Sequence, residues 1–183
     1  MQALCWSLDL FNAFDACVWA ACCCAFWGLM RFGEVTVRSR ADFSPNTHLT
    51  WGNAHLLTDE KGSPYIHLDL PHAKAADPGK GQSVYISTGG DLCAQAALAN
   101  LAKVVPGKRD NPLFSWRDNH GSIHPLTWSS ALARINSILS SLGWGNAFGH
   151  SFRIGCASYL LSQGVSLEIV CIAGRWCSLA YEV

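Results

Sequence analysis

Apolar residues occupy nearly every position between Leu10 and Met30, and Leu10, Phe11, Phe14, Val18, Trp19 and Phe26 fall around the whole helical circumference. That is the pattern of a helix buried on all sides. It predicts a helix from Met1 to about Met30, with Gly28 and Gly33 flanking its end and a polar exit carrying Arg31 and Glu34. The uninterrupted run Ala16–Met30 is 15 residues long, bounded by Asp15 and Arg31. A bilayer span needs about 20 and a secretory signal needs a basic start, so the run reads as a core helix with no membrane partner.

Downstream the period changes from helical to alternating. Ile66, Leu68 and Leu70 alternate with Tyr65, His67 and Asp69, while Val84 and Ile86 alternate with Ser83, Tyr85 and Ser87. These are two strands; His48–Leu57 supplies a third, and Asp77-Pro78-Gly79 within Ala75–Gly81 reads as a hairpin turn. A helix over Asp91–Val105, ended by Pro106-Gly107, leads into the polar loop Lys108–Pro112. Leu132, Ile135, Leu139 and Leu142 share one face of a helix from about Thr127 to Leu142, closed by Gly143. Phe152, Cys156, Tyr159 and Leu160 mark the next helix, which Gly164 ends. Ser166 caps a last one, with Glu168 in its first turn, that stops at Gly174. The layout is α+β and mainly α: a helix, a small antiparallel three-stranded sheet, then four or five helices in a single domain spanning residues 1–183.

Composition narrows what such a fold does. Half of the 183 residues are apolar and 14% are charged, which excludes a disordered or polyelectrolyte chain. Lys+Arg and Asp+Glu both number 13, so any attraction to nucleic acid must come from local clustering. The nine cysteines sit mostly in apolar runs and no Cys-x-x-Cys occurs, which favours buried reduced thiols in an intracellular protein over a disulfide scaffold or a zinc site. Neither a metal nor another cofactor is implied.

The segment richest in chemistry is Gly149-His150-Ser151-Phe152-Arg153, followed by Gly174-Arg175-Trp176. Positions i and i+3 share a helix face, so an imidazole at His150 and a guanidinium at Arg153 can address one anion together. Alone the pair is unspecific: 7 His and 13 Lys+Arg in a chain of this length give about 0.5 such spacings by chance.

Context supplies the specificity. The stretch from His150 to Trp176 resembles the second half of a tyrosine recombinase (phage-integrase-like) catalytic domain, of the variant found in fungal mobile elements. FWGLMRFGEV (26–35) is similar to that family's first-arginine box, PHAK (71–74) to its strand-turn lysine, HSFR (150–153) to its His-x-x-Arg box and GRW (174–176) to its His/Trp box. The resemblance implies a helical DNA breaking-rejoining core with a small antiparallel sheet, acting on double-stranded DNA, self-associating on it, without cofactor or metal, and nuclear if the source is eukaryotic. It implies that Arg31 and Arg153 grip the scissile phosphate, Lys74 protonates the leaving 5′ oxygen, His150 moves a proton, Trp176 donates its indole N–H, and Glu34 orients Arg31. Arg175 joins Arg31, Lys74 and Arg153 as DNA-facing charge. Lys80 lies in the same turn as Lys74 and competes with it as the acid. These residue types suit the chemistry, because a phosphoryl transition state spreads negative charge that preorganised guanidiniums stabilise.

In that family the nucleophile is a tyrosine roughly eight or nine residues past the His/Trp position, which here falls just beyond Val183. Tyr181 follows Trp176 by five residues, and the shortfall is about one helical turn, some 5 Å. Attack needs reacting atoms within roughly 3–3.5 Å, so Tyr181 fits the pattern poorly as nucleophile. By the same resemblance the chain is a catalytic-domain fragment without the amino-terminal DNA-clamping domain. Two alternatives stand beside the enzyme: an inactive DNA-binding remnant, and a redox or interaction protein built on the Cys-rich helix. Trp116 and Trp128 have no assigned role beyond packing.

Overall fold

The computed structural model describes residues 1–71, 82–87, 89–90 and 92–176. Lys74, Lys80, Tyr181 and the Asp77-Pro78-Gly79 turn lie outside them. Two helices, rather than the expected one, occupy the amino-terminal apolar stretch: α1 (Gln2–Ser7) and α2 (Ala13–Trp27). The break is made by short polar side chains that a hydrophobic period does not register. Asn12 Oδ1 accepts the Phe14 and Asp15 amides at 2.9 and 3.2 Å, capping α2, and Asp9 Oδ1 accepts the Phe11 amide at 3.0 Å. Phe11, expected on a buried helix face, is exposed in the link between them.

Strands β1 (Ala54–Thr58), β2 (Pro64–Leu70) and β3 (Gln82–Ser87) form the expected antiparallel sheet in the order β1-β2-β3. Ile66, Leu68, Leu70, Val84 and Ile86 turn into the core, as their alternation requires. The first strand begins at Ala54, not His48. The amide and hydroxyl of Thr50 both donate to Asn53 Oδ1, at 2.9 and 2.7 Å, and close a tight turn ahead of it. Helix α3 (Ala94–Val104) follows. A hairpin of β4 (Ser115–Arg117) and β5 (Ile123–Pro125) was not anticipated, since three residues per strand are too few to display a period. Asp118 Oδ1 folds it by accepting the His120 and Ser122 amides, each at 2.9 Å.

Helices α4 (Trp128–Ser141), α5 (Ser151–Ser162) and α6 (Leu167–Gly174) complete the chain's described part. Thr127 caps α4 and Ser166 caps α6 through their hydroxyls. Helix α2 runs through the middle, packing on α3, α5 and β4, and every residue from Asp15 to Ala25 is buried. Its charged member, Asp15, is held bidentately by Arg134 of α4, with Nε to Oδ1 at 2.8 Å and Nη2 to Oδ2 at 2.7 Å. The architecture is mainly α with one small three-stranded antiparallel sheet and a short hairpin. No helix among the described residues is long and apolar enough to cross a membrane.

Candidate phosphate-binding site

Three chain segments meet where α2 and α6 end and α5 begins. The first leaves α2 through Gly28 and Leu29 and delivers Arg31 to the start of a tight turn over Phe32–Glu34. Glu34 Oε2 accepts the Arg31 amide at 2.9 Å and Oε1 accepts Arg31 Nη1 at 3.2 Å, so the carboxylate caps the turn and holds the guanidinium. The same carboxylate takes Arg175, with Nη2 to Oε2 at 2.8 Å and Nη1 to Oε1 at 3.4 Å. Glu34 was expected to orient Arg31; it joins two arginines, 141 positions apart in the case of Arg175.

The second segment is the loop into α5. Asn136 of α4 grips it, accepting the Ala147 amide at 2.7 Å and donating to the Ala147 carbonyl at 3.1 Å. Ser151 Oγ accepts the Phe148 amide at 2.8 Å, and the exposed His150 stands at the start of α5 with its carbonyl accepting the Ile154 amide. One turn on, Arg153 is only 3% exposed.

The third segment ends α6. The helix ends at Gly174, as expected, and Arg175 takes the left-handed conformation at φ 58°. Gly174 is required for closeness: a Cβ there would lie 2.4 Å from the Trp176 ring. That ring stacks on the Arg153 guanidinium, 4.6 Å from carbon to centroid, and Arg153 Nη2 donates to the Gly174 carbonyl. The Trp176 indole therefore meets an arginine face.

Electrostatically the cluster sets three guanidiniums against one carboxylate. Burial, then the charges of Arg31 and Arg175, push the Arg153 pKa down to about 10, with Glu34 opposing. Its Nε and Nη1, and Nε of Arg175, are buried without a hydrogen-bond partner among the described residues. Each unmade bond from a buried donor costs about 1–3 kcal/mol, so the cluster is short of acceptors and of negative charge. An anion supplies both.

Arg31 also faces an open cleft of about 790 Å³, lined with His150, Trp128, Arg38 and His48. The structure thus brings Arg31 and His150 to one cleft, and ties Arg175 to Arg31 through Glu34. Arg153 and Trp176 join the cluster from the side of α6. Lys74 and Tyr181 fall outside the described residues. Sequence reasoning missed Trp128, whose one signal was an aromatic residue opening α4, and Asn136, which carried none. Phe32 and Phe152, neighbours of Arg31 and Arg153, stack at 5.4 Å between centroids with planes 11° apart, fixing the span between the two arginines' backbones.

Comparison with solved structures places this arrangement in a known fold. A Flpe–Holliday junction complex superposes with TM-score 0.61 at 11% identity, covering 100% of this chain and 43% of that one. An FLP recombinase–Holliday junction complex gives 0.58 at 12%, covering 100% and 43%. The XerH site-specific recombinase bound to its difH substrate gives 0.59 at 15%, covering 98% and 45%. The chain has the mainly α tyrosine recombinase catalytic-like fold, and it spans less than half the length of these proteins. No protein-family model and no curated protein matches it.

Proposed function

We propose that this chain forms the phosphate-gripping part of an enzyme that breaks and rejoins DNA strands through a 3′-phosphotyrosyl intermediate in site-specific recombination or integration. The observation that carries the reading is the buried Arg153, with two unpartnered donors, flanked by Arg31 and Arg175. A DNA phosphodiester offers the missing acceptors and charge, and the charge developing on its non-bridging oxygens in the transition state strengthens those bonds further. A tyrosine oxygen attacks phosphorus as the bond to the 5′ oxygen breaks; the leaving oxygen takes a proton from Lys74 or Lys80, and rejoining reverses the step. Tyr181 and any tyrosine encoded past Val183 are the candidate nucleophiles. His150, on the cleft with Arg31, moves the proton of the attacking group. Glu34 holds Arg31 and Arg175 together and screens their mutual repulsion, and Trp176 packs the Arg153 face.

The family is that of the tyrosine recombinases, in the form carried by fungal mobile elements, with several copies assembling on duplex DNA in the nucleus of a eukaryotic host. The recombinase–DNA complexes that share the fold support the choice of substrate. Two measurements test it. Duplex affinity should fall steeply with salt, and Arg153→Ala should make the slope of log affinity against log salt shallower by about 1, one phosphate contact. If a tyrosine is encoded past Val183 at that family's spacing, a chain that includes it should form a covalent adduct on a nicked suicide duplex. Salt-insensitive binding defeats the phosphate reading; salt-dependent binding without an adduct leaves an inactive DNA-binding remnant.

A further inference from the structure

Trp128, the first residue of α4, stands at the junction of the two segments that line the cleft. Its ring meets Phe32 edge to face, with centroids 5.5 Å apart and planes at 80°. A Cβ on Gly149 would lie 2.0 and 2.3 Å from the far edge of the indole, so that edge occupies the space a side chain at position 149 would need. A Cβ on Gly33 would lie 3.7 Å from the same six-membered ring, an ordinary van der Waals distance. The indole is therefore wedged between Phe32, in the turn that carries Arg31 and Glu34, and the Gly149 backbone immediately before His150.

The wedge is itself anchored. The Trp128 amide donates to the Val37 carbonyl at 2.8 Å, the Val37 amide to Leu126 at 2.9 Å, and the Thr36 hydroxyl to Phe32 at 2.7 Å. The chain after Arg31 is thus pinned to the start of α4. Yet Trp128 remains 38% exposed and lines the cleft, which a residue serving only to fill the core would not do.

We infer that Trp128 is a positioning residue that sets the separation of Arg31 and His150 across the cleft, by acting as a rigid spacer between Phe32 and Gly149. The inference rests on the phosphate-gripping reading above. A planar indole suits this role because it has two side-chain torsions and no internal flexibility. A displacement of one segment by even an ångström at a phosphoryl site is costly.

The test is a size-complementation cycle, read with a mixed-sequence DNA duplex at low salt and a temperature at which circular dichroism shows every variant folded. Gly149→Ala drives a methyl group into the indole, an overpacking expected to weaken duplex binding about tenfold. Trp128→Ala withdraws the spacer and is expected to weaken binding to a similar extent. Gly149→Ala combined with Trp128→Phe removes the clashing benzo edge as the methyl arrives, and should recover to within about threefold of the unsubstituted protein. The His150 ring resonance, recorded without DNA, should shift in each single variant and return in the complemented pair. Additive losses in the pair, or a Trp128→Ala protein with unchanged affinity and an unchanged His150 resonance, overturn the spacer role. If the unsubstituted protein shows no salt-dependent duplex binding, the phosphate reading falls instead, and the His150 resonance still decides on Trp128.

Discussion

Arg175 sits at φ 58° and ψ 41°, a conformation that costs a side-chain-bearing residue about 1–2 kcal/mol and that helix ends normally give to glycine. Helices α4 and α5 follow the ordinary rule, ending in Gly143 and Gly164 at φ 73° and 79°. Helices α2 and α6, which lead into the arginine cluster, break it: Leu29 and Arg175 take the left-handed residue although Gly28 and Gly174 stand beside them. The two glycines are spent on close approach instead, Gly28 to Cys24 and Val84, Gly174 to Trp176. Strain of this kind persists where the surroundings over-determine it, and the bonds from Arg175 to Glu34 do so here. Arg175→Gly should therefore unfold in urea at about 1 kcal/mol greater stability than Arg175→Ala, although both lose the ion pair. Equal midpoints, or a more stable alanine variant, would remove the strain argument.

At the scale of elements, the Asp15–Arg134 pair clamps the start of α2 to α4, and the Asp9 amide adds a bond to Asp15 Oδ2 at 3.0 Å. Burial pushes the Asp15 carboxyl up, but the bonds from Arg134 and Asp9 and the Arg134 charge outweigh it, so its pKa lies below the ordinary carboxylate range. The sign follows: stability from this group is present above pH ~4 and is lost as pH falls through the depressed folded value. Arg134→Met should cost roughly 2–3 kcal/mol at neutral pH, by leaving a buried carboxylate unpaired, with the gap from the unsubstituted protein narrowing below pH ~4. Urea melts at both pH values check it, and a pH-independent gap would contradict it. The elements themselves were legible wherever the period was long. Helices α4, α5 and α6 and strands β2 and β3 lie where the apolar spacing puts them. The α1–α2 break and the β4–β5 hairpin were not legible, because each is decided by Asn or Asp side chains capturing nearby amides. Within the site, the residue types at Arg31, His150, Arg153 and Trp176 stood out in the sequence. That Glu34 bonds Arg175, or that Trp128 reaches Gly149, depends on which ends of which helices meet, and local pattern carries no such information.

For the molecule as a whole, the even charge count conceals a local excess, three guanidiniums around Glu34. The cysteines are similarly divided. Burial pushes the Cys22, Cys23 and Cys24 thiols far up, with Cys24 at about 12, as expected of inert core residues. Cys93, at the start of α3, is the contrast: burial raises it, but amide bonds from Ala96, Gly89 and Gln95 prevail and its pKa is lowered. Native-state alkylation near neutral pH should therefore modify Cys93 well before Cys17 or Cys22–Cys24, which should react only on global unfolding. Peptide mass mapping over time reads the order, and early labelling of the α2 cysteines would show that helix to be less securely packed than described. The stacked pair Phe32 and Phe152 has a consequence for the order in which the protein matures. It joins residues 120 positions apart in sequence, a loop closure among the slowest and most entropically demanding contacts of the chain. Until it forms, Arg31 and Arg153 belong to separate parts of a collapsing polypeptide. Partly folded chains should then hold much of their helix while lacking the cluster, so that the assembled arginines mark the completion of folding.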